Sequence, residues 1–440
     1  MPSKHRQVVL NRDHARPRHP PTPTNAVLEA RLTELVGPAC LAIGDAARAL
    51  GVRNRILTVP VMVSAVLTLI WRQIPSVSEL VRVLAREDLL GVARRHVSQQ
   101  ALSLRLRCFP AALFAQVFAE LLPVLQTRAR SRSRPLPAVI TRTQQHYAQV
   151  WALDGSTLEP IFRKVGSRRP ESTVRPGGKL EAVLDVTTLL PVTLWLDPDP
   201  QTNDLRFLPQ IQAALTTPTL LLADAQYTDY PFWDTLIDDG HAVICRAKEN
   251  LAIVAVERVL VQTPRVRDRV IRVGSVGHPC HHPVRLIEVS ADGRKWHRLI
   301  CTQCNPQVVS TTDVVDLYAR RWRIEDAFLM TKRLLGLSYL WSGAFNAIAL
   351  QVWATWIFYA VLVDMTDAVA DALARPVDDI SVEMVYRGLY HYLVAAAQGQ
   401  ATDPIAYLAS QPDLGIVKRK RNYRERLHHQ RDAWREELNL

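Results

Sequence analysis

Cysteine is scarce in this chain, with six in 440 residues: Cys40, Cys108, Cys245, Cys280, Cys301 and Cys304. Their number and spacing do not make a disulfide framework, which argues against a stapled secreted scaffold and for a reducing cytosol. Zinc has little to hold it either. Cys301-x2-Cys304 is the one CxxC, and Cys280-His281-His282 supplies no clean second pair, so buried thiols are the default reading and a zinc site the alternative. Charge is missing from Leu334 through Val363. Within that run Ala344–Val363 is long enough to span a bilayer, but Gly336, Ser338, Ser342, Asn346, Gln351 and Thr355 interrupt it. It therefore reads as a buried core helix, with no membrane as partner. A phosphate-cradling Gly-rich loop is also missing, and no Ser/His/Asp order suggests a nucleophilic triad. No apolar core follows the cationic start. Lys4, Arg6, Arg12, Arg16 and Arg18 stand among Pro and His, so residues 1–26 read as a flexible basic arm rather than a secretory signal.

What is present is the composition of a globular protein with two or three domains: 48% hydrophobic residues and 28 prolines over 440 positions. Cations exceed anions by 12 and the pI is about 9.7, with the excess gathered in tails and linkers. That balance points to a polyanionic partner, nucleic acid first.

Residues 27–127 read as helical. Ser76 stands three positions before Glu79 as a capping box. The segments 78–86 and 98–107 form a helical pair with two open readings: a helix-turn-helix in which Ser98, Gln99, Gln100 and Ser103 face DNA, or part of a plain helical bundle. The basic stretch Arg128–Arg134 starts a linker and core entry over 128–148. Strands and helices then alternate through 149–249, as in an α/β domain with a mixed sheet. Short strands separated by Gly and Pro fill 250–310, a β-rich insertion. Helix returns over 311–373, and 374–440 is a helical, basic C-terminal region ending in Lys418-Arg-Lys-Arg421 and Asn422–Arg435.

Two apolar strands of the α/β region end in carboxylates, Gln149–Asp154 and Thr219–Asp224, at the edge where such sheets place their sites. A later helix carries Tyr318, Arg321, Glu325 and Lys332 at offsets 0, 3, 7 and 14, which puts all four within roughly 60° of one helical face. Asp154, Asp224 and Glu325 together would repel one another unless divalent cations filled the gap, so the set implies Mg²⁺ or Mn²⁺. Two such ions suit in-line phosphoryl transfer on a phosphodiester.

Tyr318-x2-Arg321-x3-Glu325-x6-Lys332 matches without a gap the YREK signature of bacterial cut-and-paste transposases of the insertion-sequence-four family. Leu153-Asp154-Gly155-Ser156-Thr157 and Leu222-Ala-Asp224-Ala-Gln-Tyr227 resemble that family's first and second catalytic segments, except that Gln226 stands where the family usually has Gly. The resemblance covers nearly the whole chain. It implies a ribonuclease-H-like core interrupted by a β-rich insertion, and a DDE site of Asp154, Asp224 and Glu325 holding two metal ions. It further implies phosphate contacts from Tyr318, Arg321 and Lys332, and a homodimer that brings together two terminal inverted repeats before attack on target DNA. The location implied is the bacterial cytoplasm, on the nucleoid. Trp296, 29 residues before Glu325, stands near where relatives stack a flipped base during hairpin formation; packing is the other reading. Trp322 and Trp341 are expected to pack. A metal-dependent nuclease on the same fold, or an inactive DNA-binding relic, are the alternative functions.

Overall fold

The computed structural model describes residues 26–53, 55–158, 178–275, 277–337, 340–342, 344–418 and 433–438. The expected basic arm, save its last residue, and the basic run 419–432 lie outside them. The helices of the first part are α1 (Ala26–Ala42), α2 (Gly44–Ala49), α3 (Val59–Trp71), α4 (Val77–Arg86), α5 (Gln99–Cys108), α6 (Ala112–Ser131) and α7 (Ala138–Thr143). Two of the caps follow the local chemistry. The Ser76 hydroxyl accepts from Glu79 N at 3.2 Å to start α4, and that of Ser98 from Ala101 N at 3.1 Å to start α5. Ser98, Gln99 and Gln100 are exposed on α5, and Ser103 is half-buried.

A mixed sheet follows. Its strands are β1 (Gln149–Leu158), β2 (Gly178–Asp185), β3 (Pro191–Asp197), β4 (Thr219–Ala223), β5 (Ala242–Arg246), β6 (Ile253–Gln262), β7 (Val266–Ser275), β8 (His278–Pro279), β9 (Val284–Ser290) and β10 (Trp296–Cys301). The order is β3-β2-β1-β4-β5-β10-β9-β7-β6, with β8 pairing off β7. β1, β4 and β5 run parallel to one another, and the remaining pairings are antiparallel. The β-rich stretch thus continues the sheet through β5 and β10. Its first strand, β6, is longer than anything expected there and mostly exposed.

Apolar residues alternate between two cores because successive strand residues face opposite sides. Val150 and Ala152 of β1, Leu220 and Leu222 of β4, and Ala242 and Ile244 of β5 join the larger core. Trp151, Leu153, Leu221, Ala223, Val243 and Cys245 join the other, under α8 (Leu208–Ala214) and α9 (Tyr230–Asp238). On the larger side lie α1–α6, then α10 (Thr311–Arg320), α11 (Trp322–Leu329), α12 (Phe345–Ala372), α13 (Val382–Ala397) and α14 (Pro404–Ser410).

α12 is the uncharged segment anticipated as a core helix. It is long and apolar enough to cross a membrane, yet its most apolar 18-residue window is 94% buried inside the protein. Two of the polar residues that interrupt the run are bonded: Asn346 Nδ2 donates to Phe109 O at 2.7 Å, and Gln351 Nε2 to Gly336 O at 3.1 Å. The buried Asp364 and Asp367 near its end accept from Arg132 at 2.5 and 2.7 Å, and Arg134 also pairs with Asp367. Arg132 and Arg134, expected as linker cations, are therefore committed to α12.

A second ionic anchor sets the helix that carries Glu325. Arg285 of β9 and Asp268 of β7 are both fully buried, with Arg285 Nε donating at 2.7 Å. Arg285 also donates to Val309 O, and Thr311 Oγ1 donates to Asp268 at 2.7 Å, so β7 and β9 hold the start of α10. Arg285→Leu would strand the Asp268 carboxylate in the core. Urea unfolding should show a loss of about 3–5 kcal/mol, the cost of breaking a buried pair by removing one partner.

Candidate active site

The parity that builds the two cores also aims the carboxylates. Asp154 and Asp224 fall in step with Val150/Ala152 and Leu220/Leu222, on the side facing α10 and α11. Both stand two residues beyond the paired positions Ala152 and Leu222, so they lie level on adjacent parallel strands. Neighbouring strands are about 4.8 Å apart, which makes repulsion between the two groups unavoidable. The Asp224 carboxylate accepts from Gln226 N at 2.7 Å and starts a short 3-10 turn, Ala225–Tyr227. Gly155 is required next to Asp154 because a Cβ there would collide with the ion pair of Lys179 and Asp204.

Tyr318 to Lys332 was expected as one regular helix, and the backbone departs from that at two places. α10 ends at Arg320 and α11 begins at Trp322, with the turn tightened at Arg321 by Arg321 N to Tyr318 O (3.0 Å) and Ile324 N to Arg321 O (3.2 Å). After α11 the chain widens into a π turn, Met330–Leu334, closed by Leu335 N to Met330 O at 3.1 Å. Such wide turns are rare and cluster at functional sites.

Through these irregularities the four signature side chains all reach the strand ends. Arg321, 6% exposed, donates to Glu325 Oε1 at 2.6 Å and to Asp154 Oδ2 at 3.4 Å. Its plane also lies 5.8 Å from the half-buried Tyr318 ring. Lys332 Nζ donates to Ser156 Oγ and to Thr157 O at 2.8 Å, just past Asp154 on β1. Arg321 and Lys332, anticipated as outward phosphate grips, thus point inward at the sheet edge.

Burial pushes the Asp154 carboxyl up to about 7; Arg321 pulls it down, while Asp224 and Glu325 push it further up. One guanidinium offsets only part of the charge. The donor set of three hard carboxylate oxygens fits a divalent cation. In the arrangement described, Arg321 stands between Asp154 and Glu325, and no three acidic, His or Cys side chains among the described residues converge on one ion position.

The other sequence candidates fall elsewhere. Trp296 opens β10, half-buried, with the Arg267 guanidinium 4.2 Å over its ring. Trp322 corrects an expectation of packing: it is 57% exposed, because the break at Arg321 turns it outward. Trp341 packs against the large core. Cys280 and Cys301 are buried free thiols and Cys304 is half-buried; their sulfurs make contacts with Asp234, Gln303 O and Pro283 O respectively. Sequence reasoning missed the layer beneath the site. There Tyr227 donates to the buried Glu181, beside Lys179 and Asp204. The signals were Gly155 next to one Asp and an aromatic three residues after the other.

In known proteins, residues 149–360 match the model described as Transposase DDE domain. The chain is 25% identical over 261 residues to "Putative transposase y4zB" of Sinorhizobium fredii, covering 58% of this chain and 67% of that one. A cryo-EM structure of the piggyBac transposase synaptic complex with hairpin DNA aligns with TM-score 0.37 and 12% identity, over 94% of this chain and 88% of that one.

The raised Asp154 value has a consequence for stability without metal. In the unfolded chain this carboxyl takes up its proton near 3.9, in the folded chain at about 7. Folding favours the protonated form, so its contribution is complete below the lower value and is lost as pH rises through about 7. Asp154→Asn cannot ionise. In EDTA it should be more stable than the parent by on the order of 1–3 kcal/mol at about pH 8 and equal to it near pH 4, by denaturant titration.

Proposed function

We propose that this chain, whose residues 149–360 match a transposase DDE domain, is a DDE transposase that moves an insertion sequence by cut-and-paste. It binds the terminal inverted repeats as a homodimer, cuts the strands there and joins the freed 3′-hydroxyls to target DNA. The observation that carries the reading is the meeting of two level aspartates, Asp154 within β1 and Asp224 just after β4, with a helical segment bearing Tyr318, Arg321, Glu325 and Lys332 in signature spacing. The strand order β3-β2-β1-β4-β5, antiparallel on one side of β1 and parallel on the other, supports a ribonuclease-H-like core and the insertion-sequence-four assignment.

Asp154, Asp224 and Glu325 would hold divalent ions, two of Mg²⁺ or Mn²⁺. Bound there, the ions supply activation of the attacking water or hydroxyl and stabilisation of the leaving oxygen. The chain's own groups do the rest. Asp154 gives up its proton to become a ligand, and Asp224 is oriented by the Gln226 amide. Tyr318, Arg321 and Lys332 place the phosphate backbone of the cut end, Arg by its fork and Lys as a point charge. The exposed Ser98, Gln99 and Gln100 of α5 suit contact with bases in a groove. Trp296 would take a flipped base only after its stack with Arg267 opened.

Purified protein incubated with Mg²⁺ and duplex DNA bearing its flanking inverted repeats should yield cleavage at the repeat ends and joined products. Asp154→Asn, Asp224→Asn and Glu325→Gln should each lower both by at least roughly a hundredfold, since even outer-shell changes at metal sites cost 10–100-fold. Repeat binding in gel shifts should persist and fall steeply with salt. Random nicking without a joined product would rule out transposition in favour of a simple nuclease.

A further inference from the structure

Arg321, read above as a contact to phosphate, is held by two carboxylates. Its side chain is not displayed to solvent. It is 6% exposed, forked between Glu325 Oε1 at 2.6 Å and Asp154 Oδ2 at 3.4 Å, with Nε buried and unpartnered. The guanidinium lies 5.8 Å from the Tyr318 ring and 5.2 Å from the exposed Trp322 ring, so an outward path runs past aromatic faces that can carry a cation. The backbone at Arg321 keeps helical angles and joins the two helices through a tightened 3-10 turn. Lys332 is bonded to the Thr157 backbone oxygen and the Ser156 hydroxyl of β1.

We propose that Arg321 is a counter-cation of the Asp154 and Glu325 carboxylates and that it exchanges partners when they take up a divalent metal: the metal takes over both carboxylates, and the released guanidinium turns to a DNA phosphate. Arg321 is then the link between metal and DNA. Before DNA arrives, metal must displace a guanidinium already hydrogen-bonded to two of its ligands. A phosphate at the site offers that guanidinium another anion and removes the competitor. Metal binding and DNA binding therefore strengthen each other, by the same factor in both directions. The exchange rests on the metal-site reading above. It differs from a fixed phosphate contact in predicting an effect of Arg321 on metal affinity with no DNA present.

The test is Mn²⁺ binding to the full chain, followed by the electron paramagnetic resonance of free Mn²⁺, with and without a repeat-end duplex. The parent should bind Mn²⁺ weakly alone and roughly tenfold more tightly with duplex, within the usual range of coupling between sites. Arg321→Gln should bind Mn²⁺ roughly tenfold more tightly than the parent without DNA and show little further gain with it. Arg321→Lys keeps the charge but cannot fork between two carboxylates, so it should lie between the two. It also serves if the Gln variant fails to fold. Unchanged or weaker Mn²⁺ binding by the folded variants without DNA overturns the proposal, as does an undiminished gain from duplex. Asp154→Asn separates this failure from that of the underlying reading. If it leaves Mn²⁺ affinity unchanged, the metal site itself is wrong; if it weakens Mn²⁺ while Arg321→Gln does not strengthen it, only the exchange is wrong.

Discussion

Carboxylates gathered at the ends of adjacent strands repel one another, and a fold that gathers them has to supply positive charge or keep a proton on one of them. This chain does both. Arg321 lies between Asp154 and Glu325, and the Asp154 carboxyl holds its proton up to about 7. Much of the surrounding architecture serves to keep that unfavourable cluster in place. The parallel pair β1 and β4 fixes two members level with each other, and the Arg285–Asp268 pair fastens the start of the helical segment that delivers the third. Beneath them the buried Glu181–Tyr227 bond and the Lys179–Asp204 pair add a second acidic layer, packed so closely that only Gly fits at 155.

Wherever one chemical rule acted locally, the sequence was a good guide. Apolar runs over 149–154, 219–224 and 241–246 marked the strands; Asp224 follows its strand as expected, whereas β1 continues past Asp154 to Leu158. Ser76 three residues before Glu79 marked a helix start, and Ser76 caps Glu79. The charge-free run to Val363 marked a buried helix, and Asn346 and Gln351, which interrupt it, have found partners inside the protein.

Long-range pairing was not legible in the same way. Arg132 and Arg134 looked like a solvated linker because their partners, Asp364 and Asp367, are more than 230 residues away. The regular-helix assumption of 100° per residue placed Lys332 correctly on the site side. It could not reveal the break at Arg321 or the π turn, which arise from packing against the strands. The same break exposed Trp322, which apolar character alone assigns to the interior. β6 escaped notice because Glu257 and Arg258 interrupt its apolar pattern and most of it is exposed.

The two kinds of irregularity lie on the same element, and that placement bears on control. Asp154 lies within β1, paired with Ala182 of β2, and Asp224 directly follows β4, so both have little freedom, whereas Glu325 and its neighbours sit on a helix whose hydrogen bonding is irregular before and after them. If the three carboxylates hold metal as proposed, two of the ligands are fixed by strand pairing and the third sits on the less regular helical segment. Completion then depends on what draws Arg321 away, and for an enzyme that breaks phosphodiesters the fitting trigger is the DNA backbone itself. An enzyme with a fully formed metal cage would be ready to cut any duplex that drifted in. Under the proposed exchange, the pairing of Glu325 with Arg321 would make readiness to cut a consequence of being correctly bound.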